Sequence, residues 1–163
     1  METQIAQILP NDIEAERSVL GCILLSNDCV GAVAERIKSK DYFYRPNHQE
    51  LYDAICALNN AGTPVDIITL MNELVRRGTL EVIGGVEYIT DLSAAVPSTA
   101  NLSYYIDIVV EKYKLRRLIA VASTTAQDCY AGEKEAKEII EVAERDIFNI
   151  AMNNELSALV PMK

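Results

Sequence analysis

One histidine, His48, and four cysteines, Cys22, Cys29, Cys56 and Cys129, are the residues best suited to metal binding or nucleophilic chemistry. The cysteines stand apart with no C-x-x-C pair, and a single histidine cannot complete a zinc ligand set. Small buried or half-buried thiols in a reducing compartment are expected instead. His48 has no Ser, Cys or second His near it in sequence, so a packed, hydrogen-bonded role is expected rather than catalysis. Two carboxylate pairs, Glu14 with Glu16 and Glu141 with Glu144, could divide acid and base roles in a cleft. Both pairs lie on amphipathic helical stretches, which makes a solvated face the expectation for each. Gly84-Gly85 lacks the G-x-x-x-x-G-K-[ST] or G-x-G-x-x-G surroundings of a phosphate loop and is read as a helix-entry turn. No convergent set of catalytic groups emerges, which points to a helical interaction or assembly domain.

The elements that carry these residues are aliphatic. Half of the 163 residues are hydrophobic, with 2 Phe, no Trp, 7 Gly and 5 Pro, a composition suited to packed helices with a sizeable core. No apolar run approaches the roughly 20 residues of a membrane span, and the first residues have no signal-peptide core, so a cytoplasmic protein is expected. The net charge of -9 opposes nucleic-acid binding, which depends on cations that neutralise phosphates. The surplus is uneven: residues 1–100 hold 14 acidic and 7 basic residues, whereas 101–152 hold 9 and 7.

Along the chain, residues 1–9 are expected to form a frayed or partner-held arm. Asn11 with Glu14 has capping-box spacing and opens a helix that buries Val19, Leu20, Ile23 and Leu24. A short helix from Cys29 to about Ile37 follows, burying Val30, Val33 and Ile37. Tyr42, Phe43 and Tyr44 form an aromatic cluster before Pro46, suited to plugging a core edge. Asn47 with Glu50 repeats the capping spacing before a helix that buries Leu51, Tyr52, Ile55 and Leu58. Asp66 caps the next helix, with Ile67, Leu70, Met71 and Leu74 inward. Arg76 and Arg77 suit its C-terminal dipole, and Gly78 its left-handed end. The helix after Gly85 places Val86, Ile89 and Leu92 inward.

The longest pattern runs from Asn101 to about Met152, two helices joined by a turn at Ala131-Gly132. At 100° per residue, Leu102, Ile106, Val109 and Tyr113 form one stripe of the first helix. Tyr104, Ile108, Leu115, Ile119, Ala122, Ala126 and Cys129 form a nearly opposite one. A helix apolar on two sides needs two neighbours. The second helix has its stripe at Ala136, Ile139, Ile140, Ala143, Ile147, Ile150 and Ala151, suited to an αα-hairpin. Val142, Phe148 and Met152 fall outside it. The expected fold is all-α: a compact helical head of five or six helices over 1–100, a long antiparallel helical hairpin over 101–152, and the start of a linker over 153–163.

Read together, six motifs resemble the N-terminal domain of the bacterial replicative DNA helicase of the DnaB type. They are Leu9-Pro10 leading to Ala15-Glu16-Arg17-Ser18-Val19-Leu20-Gly21; Asp41-Tyr42-Phe43 with His48; Pro64-Val65-Asp66-Ile67-Ile68-Thr69-Leu70; Gly84-Gly85-Val86-Glu87-Tyr88; Pro97 to Asn101 with Tyr105; and Lys112 through Arg117-Leu118-Ile119. Each alone is weak, but six in order are specific, and they cover the whole ordered chain. The RecA-like motor with its P-loop does not follow the linker, so the family's ATP and Mg²⁺ sites, its DNA translocation and its unwinding of duplex DNA carry over to no residue here.

The resemblance implies a fragment that is not itself an enzyme: a collar tier in which hairpins pair between subunits, dimers assemble into a hexameric trimer of dimers, and primase docks, with a helicase loader as a further partner. Leu102, Ile106, Val109 and Tyr113 are expected to anchor the hairpin to the head, and Leu115, Ile119, Ile139, Ile140, Ala143 and Ile147 to form the seam within it. Tyr104, Ile108, Arg116, Arg117, Val142, Phe148 and Met152 are the candidates for contact with a neighbouring subunit or primase. No catalytic, cofactor or metal residue is expected, nor direct nucleic-acid or membrane binding. The alternatives are an acidic all-α interaction adaptor unrelated to replication, a helix-turn-helix regulator, which would need a basic recognition helix, and a small-molecule enzyme, which would need a pocket of perturbed titratable groups.

Overall fold

The structure, a computed structural model, describes residues 7–152; the expected linker and the first six residues of the expected arm lie outside them. The described residues form eight α-helices and a 3-10 turn, with no strand among them. Two compact units divide the chain: one is Asn11–Tyr113, and the other comprises the described residues before Asn11 and from Lys114 onward.

In the first unit, α1 (Ile13–Leu25) is the central helix, with Ala15, Val19, Leu20, Cys22 and Ile23 all buried. Its N-cap is Asp12 rather than Asn11: the Asp12 carboxylate accepts the Ala15 N–H at 3.0 Å. A charged carboxylate satisfies a first-turn donor and also meets the positive helix end, which a neutral amide does only in part. The start therefore shifts by one residue, and the Asn11–Glu14 capping box does not form. Gly21 is buried where α1 crosses a later helix, and a Cβ built on it would stand 2.3 Å from the Leu92 carbonyl oxygen.

The short α2 (Cys29–Arg36) buries Val30 and Val33, and Ile37 closes it. Tyr42 and Phe43 of the aromatic cluster enter the core itself, while Tyr44 is half-buried at its edge. Phe43 lies 5.1 Å from Tyr52 and Tyr42 stacks on Tyr113 at 3.9 Å between ring centroids. Tyr52, at the centre of α3 (Pro46–Asn60), donates to the Ile37 carbonyl at 2.7 Å. The start of α3 corrects the second capping expectation. Pro46 occupies the first turn with Arg45 as N-cap and no side-chain cap. Proline presets the helical φ and has no N–H to satisfy, so Asn47 and Glu50 are released for tertiary contacts.

Asp66 and Thr69 form the reciprocal capping box of α4 (Ile67–Arg77), which Gly78 ends at φ 75. Leu70 and Leu74 are buried there, while Ile67 and Met71 are half-buried. A single turn, α5 (Leu80–Ile83), leads through Gly84 at φ 118 into α6 (Gly85–Ala94). Ile89 and Leu92 face inward, but Val86 is exposed. At 100° per residue, Val86 lies about 90° around the helix from the Ile89 and Leu92 face.

The longest helix, α7 (Leu102–Ala131), begins in this core: Leu102, Ile106, Val109 and Val110 are buried, the last outside the expected stripe. In the second unit, Gly132 at φ 67 turns the chain toward α8 (Ala136–Ala151). The expected seam is corrected here. Ile139 and Ile150 are buried and Ala143 is half-buried, but Leu115, Ile119, Ile140 and Ile147 are exposed. The apolar stripes are wider than this one pairing of helices covers, so much of each remains on the surface.

Arg76 and Arg77 do more than complement a helix dipole. Glu73 lies 2.6 Å from Arg76 and 2.9 Å from Arg77, which also reaches Glu50 at 3.2 Å and Asp53 at 3.1 Å. Hydrogen bonds from both arginines hold the Glu73 carboxyl down to about 2, from an ordinary 4.5. A depressed carboxyl stabilises the fold above its unfolded value and loses that contribution as pH falls through the folded one. Acid unfolding should therefore show a component between pH 4.5 and about 2. Glu73→Gln should flatten the stability–pH slope in that window, measured by urea denaturation at each pH; an unchanged slope would contradict the ion pairs.

Candidate functional site

The sequence's one histidine is fully buried. Its Nδ1 lies 2.7 Å from Glu16 Oε1 and its Nε2 lies 2.6 Å from the Tyr88 hydroxyl. Glu16, read from the sequence as part of a solvated pair with Glu14, is buried as well. Its carboxylate also accepts the backbone N–H groups of Tyr44 and Arg45. An ionised carboxylate can only accept, so Nδ1–H donates to it and Nε2 pairs with the Tyr88 hydroxyl. Arg17 sits 5.4 Å above the Tyr88 ring. Position explains the burial: residues 16, 19, 20 and 23 share one helical face, and Val19, Leu20 and Ile23 on it are core.

Carboxylate, imidazole and hydroxyl in line would make a proton relay in an open cleft. Here His48 has no exposed surface and both ring nitrogens are occupied, leaving no atom to meet a substrate. The three side chains act as a clamp that joins α1, the start of α3 and α6. Cys22 and Cys29 are buried too, and burial pushes the Cys22 thiol up to about 11, away from the reactive thiolate. Among the described residues no group of three or more His, Cys, Asp or Glu could hold a metal ion.

What the structure offers a partner is surface. Tyr104 is 72 % exposed and with Ile108 lines a groove of about 530 Å³, together with Asp12, Asp107, Glu111 and Lys112. Both candidates belong to the first unit. In the second unit Arg116 is half-buried and donates to the Pro10 carbonyl at 2.8 Å, Arg117 is exposed, and Val142 and Met152 are half-buried. Phe148 is 57 % exposed, and Leu115, Leu118, Ile119, Ile140 and Ile147 are exposed with it. The proposed anchors Leu102, Ile106 and Val109 lie in the core of the first unit, and Tyr113 stacks on Tyr42 there.

Comparison with known proteins agrees with this architecture. The family model described as the DnaB-like helicase N terminal domain matches residues 8–111. The replicative DNA helicase DnaC of Bacillus subtilis is 42 % identical over 154 residues, 94 % of this chain but 34 % of the relative. The replicative DNA helicase DnaB of Mycobacterium leprae is 44 % identical over 156 residues, 94 % of this chain and 26 % of its own length. The chain thus spans about a third or less of the curated relatives it matches. The crystal structure of the N-terminal domain of DnaB helicase from Mycobacterium tuberculosis superposes with a TM-score of 0.79 at 44 % identity, covering 86 % of this chain and 98 % of that one. The structure of a DnaB-like replicative helicase and its interactions with primase shares the fold at a TM-score of 0.69 and 24 % identity, covering 91 % of this chain and 34 % of that one. With more than half of its length matched and its fold shared, the chain belongs to the DnaB-like helicase N-terminal domain family.

Proposed function

We propose that this chain forms the assembly and primase-docking tier of a replicative DNA helicase, in which the α7–α8 hairpin pairs with a second copy and the pairs build a hexameric trimer of dimers. The observation that carries the proposal is the number of exposed apolar side chains on the second unit, Leu118, Ile119, Ile140, Ile147 and Phe148 among them. Apolar side chains in this number on one unit mark an interaction surface more often than a solvated one. The nearly balanced charge of the hairpin stretch, 9 acidic and 7 basic residues over 101–152, opposes self-pairing less than the acidic head would.

Primase is proposed as a partner because a protein of the same fold was solved with its primase interactions. A helicase loader is a further proposed partner. No ATP, Mg²⁺ or direct nucleic-acid role is proposed for these 163 residues. No helix among the described residues is long and apolar enough to cross a membrane, and a cytoplasmic location is proposed with the replicative role.

Burying a Phe-sized side chain is worth about 1.5 to 3 kcal/mol. Phe148→Ala should therefore weaken self-association or primase binding by about ten-fold or more, read by sedimentation equilibrium and by titration with purified primase. If both affinities are unchanged, Phe148 is not an interface residue.

A further inference from the structure

The groove at the start of α7 belongs to the first unit and has a different chemistry from the exposed apolar residues of the second. Its floor is an apolar row one turn apart on α7, Tyr104 and Ile108. Asp107 and Glu111 edge the row. Asp12 also lines the groove, and a second cavity that shares Asp12 and Ile108 with it is lined by Glu14, Ser18 and Tyr105. Two of these carboxylates have cations: Asp107 meets Arg36 at 2.9 Å, and Glu14 meets Arg17 at 3.8 Å. Among the described residues, Asp12 accepts the Ala15 backbone N–H and neither Asp12 nor Glu111 has an ion-pair partner. Lys112 supplies one positive charge.

We propose that this groove docks a short cationic segment of a partner protein, one apolar side chain seated against Tyr104 and Ile108 and Lys or Arg residues reaching Glu111 and Asp12. Charge complementarity selects this occupant. An apolar floor alone would accept any hydrophobic residue, but an acidic lining rejects acidic segments and draws basic ones. The surrounding head, with 14 acidic against 7 basic residues over 1–100, adds long-range steering of the same sign. An exposed tyrosine amid such a rim is the residue type that anchors interfaces. The site goes beyond the proposed self-pairing and does not depend on it.

The probe is a fluorescein-labelled helical peptide with one Leu flanked by Lys and Arg at i-4 and i+4, paired with a control in which Glu replaces every cation. Fluorescence anisotropy should show saturable binding of the basic peptide alone, weakening at least five-fold between 50 and 200 mM salt. Tyr104→Ala and Glu111→Lys should each weaken it at least five-fold. Glu138→Lys and Glu144→Lys on α8, equal in charge change to Glu111→Lys, should leave it within two-fold, as should Phe148→Asp. Amide shifts on titration should centre on Tyr104, Ile108 and Glu111. An equal loss in the α8 variants would show diffuse attraction to an acidic protein and overturn the site. Absence of saturable binding, or shifts centred on α8, would overturn it equally. Loss of binding in Phe148→Asp alone would place the peptide on the self-pairing surface instead.

Discussion

Replacing Glu16 by alanine should cost about 3–5 kcal/mol of stability, because it strands the buried His48 ring and removes the acceptor of two part-buried N–H groups. The Tyr44 and Arg45 N–H groups and the His48 ring all converge on this one carboxylate, and the His48 ring is fully buried away from water. A domain of this size has roughly 5–15 kcal/mol in total, so the variant should sit near the edge of folding. Glu16→Gln keeps one oxygen acceptor but turns an amide against remaining donors, and should lose about 1–2 kcal/mol. Urea denaturation followed by circular dichroism measures both. A loss below about 1 kcal/mol for Glu16→Ala would show that the clamp does not hold these helices together.

The second large effect is a contrast between two glycines. Gly21→Ala places a methyl 2.3 Å from the Leu92 carbonyl oxygen, a backbone atom that cannot rotate away. The helix-propensity gain of about 1 kcal/mol is then outweighed by forcing α1 and α6 apart, for a net loss of about 2–3 kcal/mol. Gly31→Ala, in α2, meets nothing within 4 Å. It should stabilise by about 0.5–1 kcal/mol. Thermal and urea denaturation of the two variants side by side decide the matter. Equal effects of one sign would contradict the close crossing of α1 and α6.

These two sites explain why several sequence motifs are built as they are. In Ala15-Glu16-Arg17-Ser18-Val19-Leu20-Gly21, Glu16 is the clamp and Gly21 the crossing point. In Gly84-Gly85-Val86-Glu87-Tyr88, Gly84 takes a left-handed turn against the Tyr88 side chain, and Tyr88 reaches His48. The burial of Glu16 was legible, since it shares the face of Val19, Leu20 and Ile23, but pairing it with Glu14 as a solvated couple obscured that. The helices and most core positions could be read because period 3.6 recurs wherever one face is buried. Cap identities were harder, since Asn11 competes with Asp12 and Pro46 replaces a side-chain cap altogether. The groove had no local signal: Asp12 and Glu111 are 99 positions apart and come to line one groove only in the folded chain. The hairpin seam failed for a different reason. A stripe tells which residues avoid water but not whether the covering partner is the same chain.

That distinction is the centre of the account, and the mass of the 163-residue chain in solution tests it most directly. Multi-angle light scattering from low micromolar to high micromolar concentration should show the mass rising from one chain of 18.0 kDa toward dimers and hexamers. The rise should be suppressed by Phe148→Asp with helicity retained. A mass fixed at one chain across the whole range, with the exposed residues of α7 and α8 accessible throughout, would contradict the assembly role.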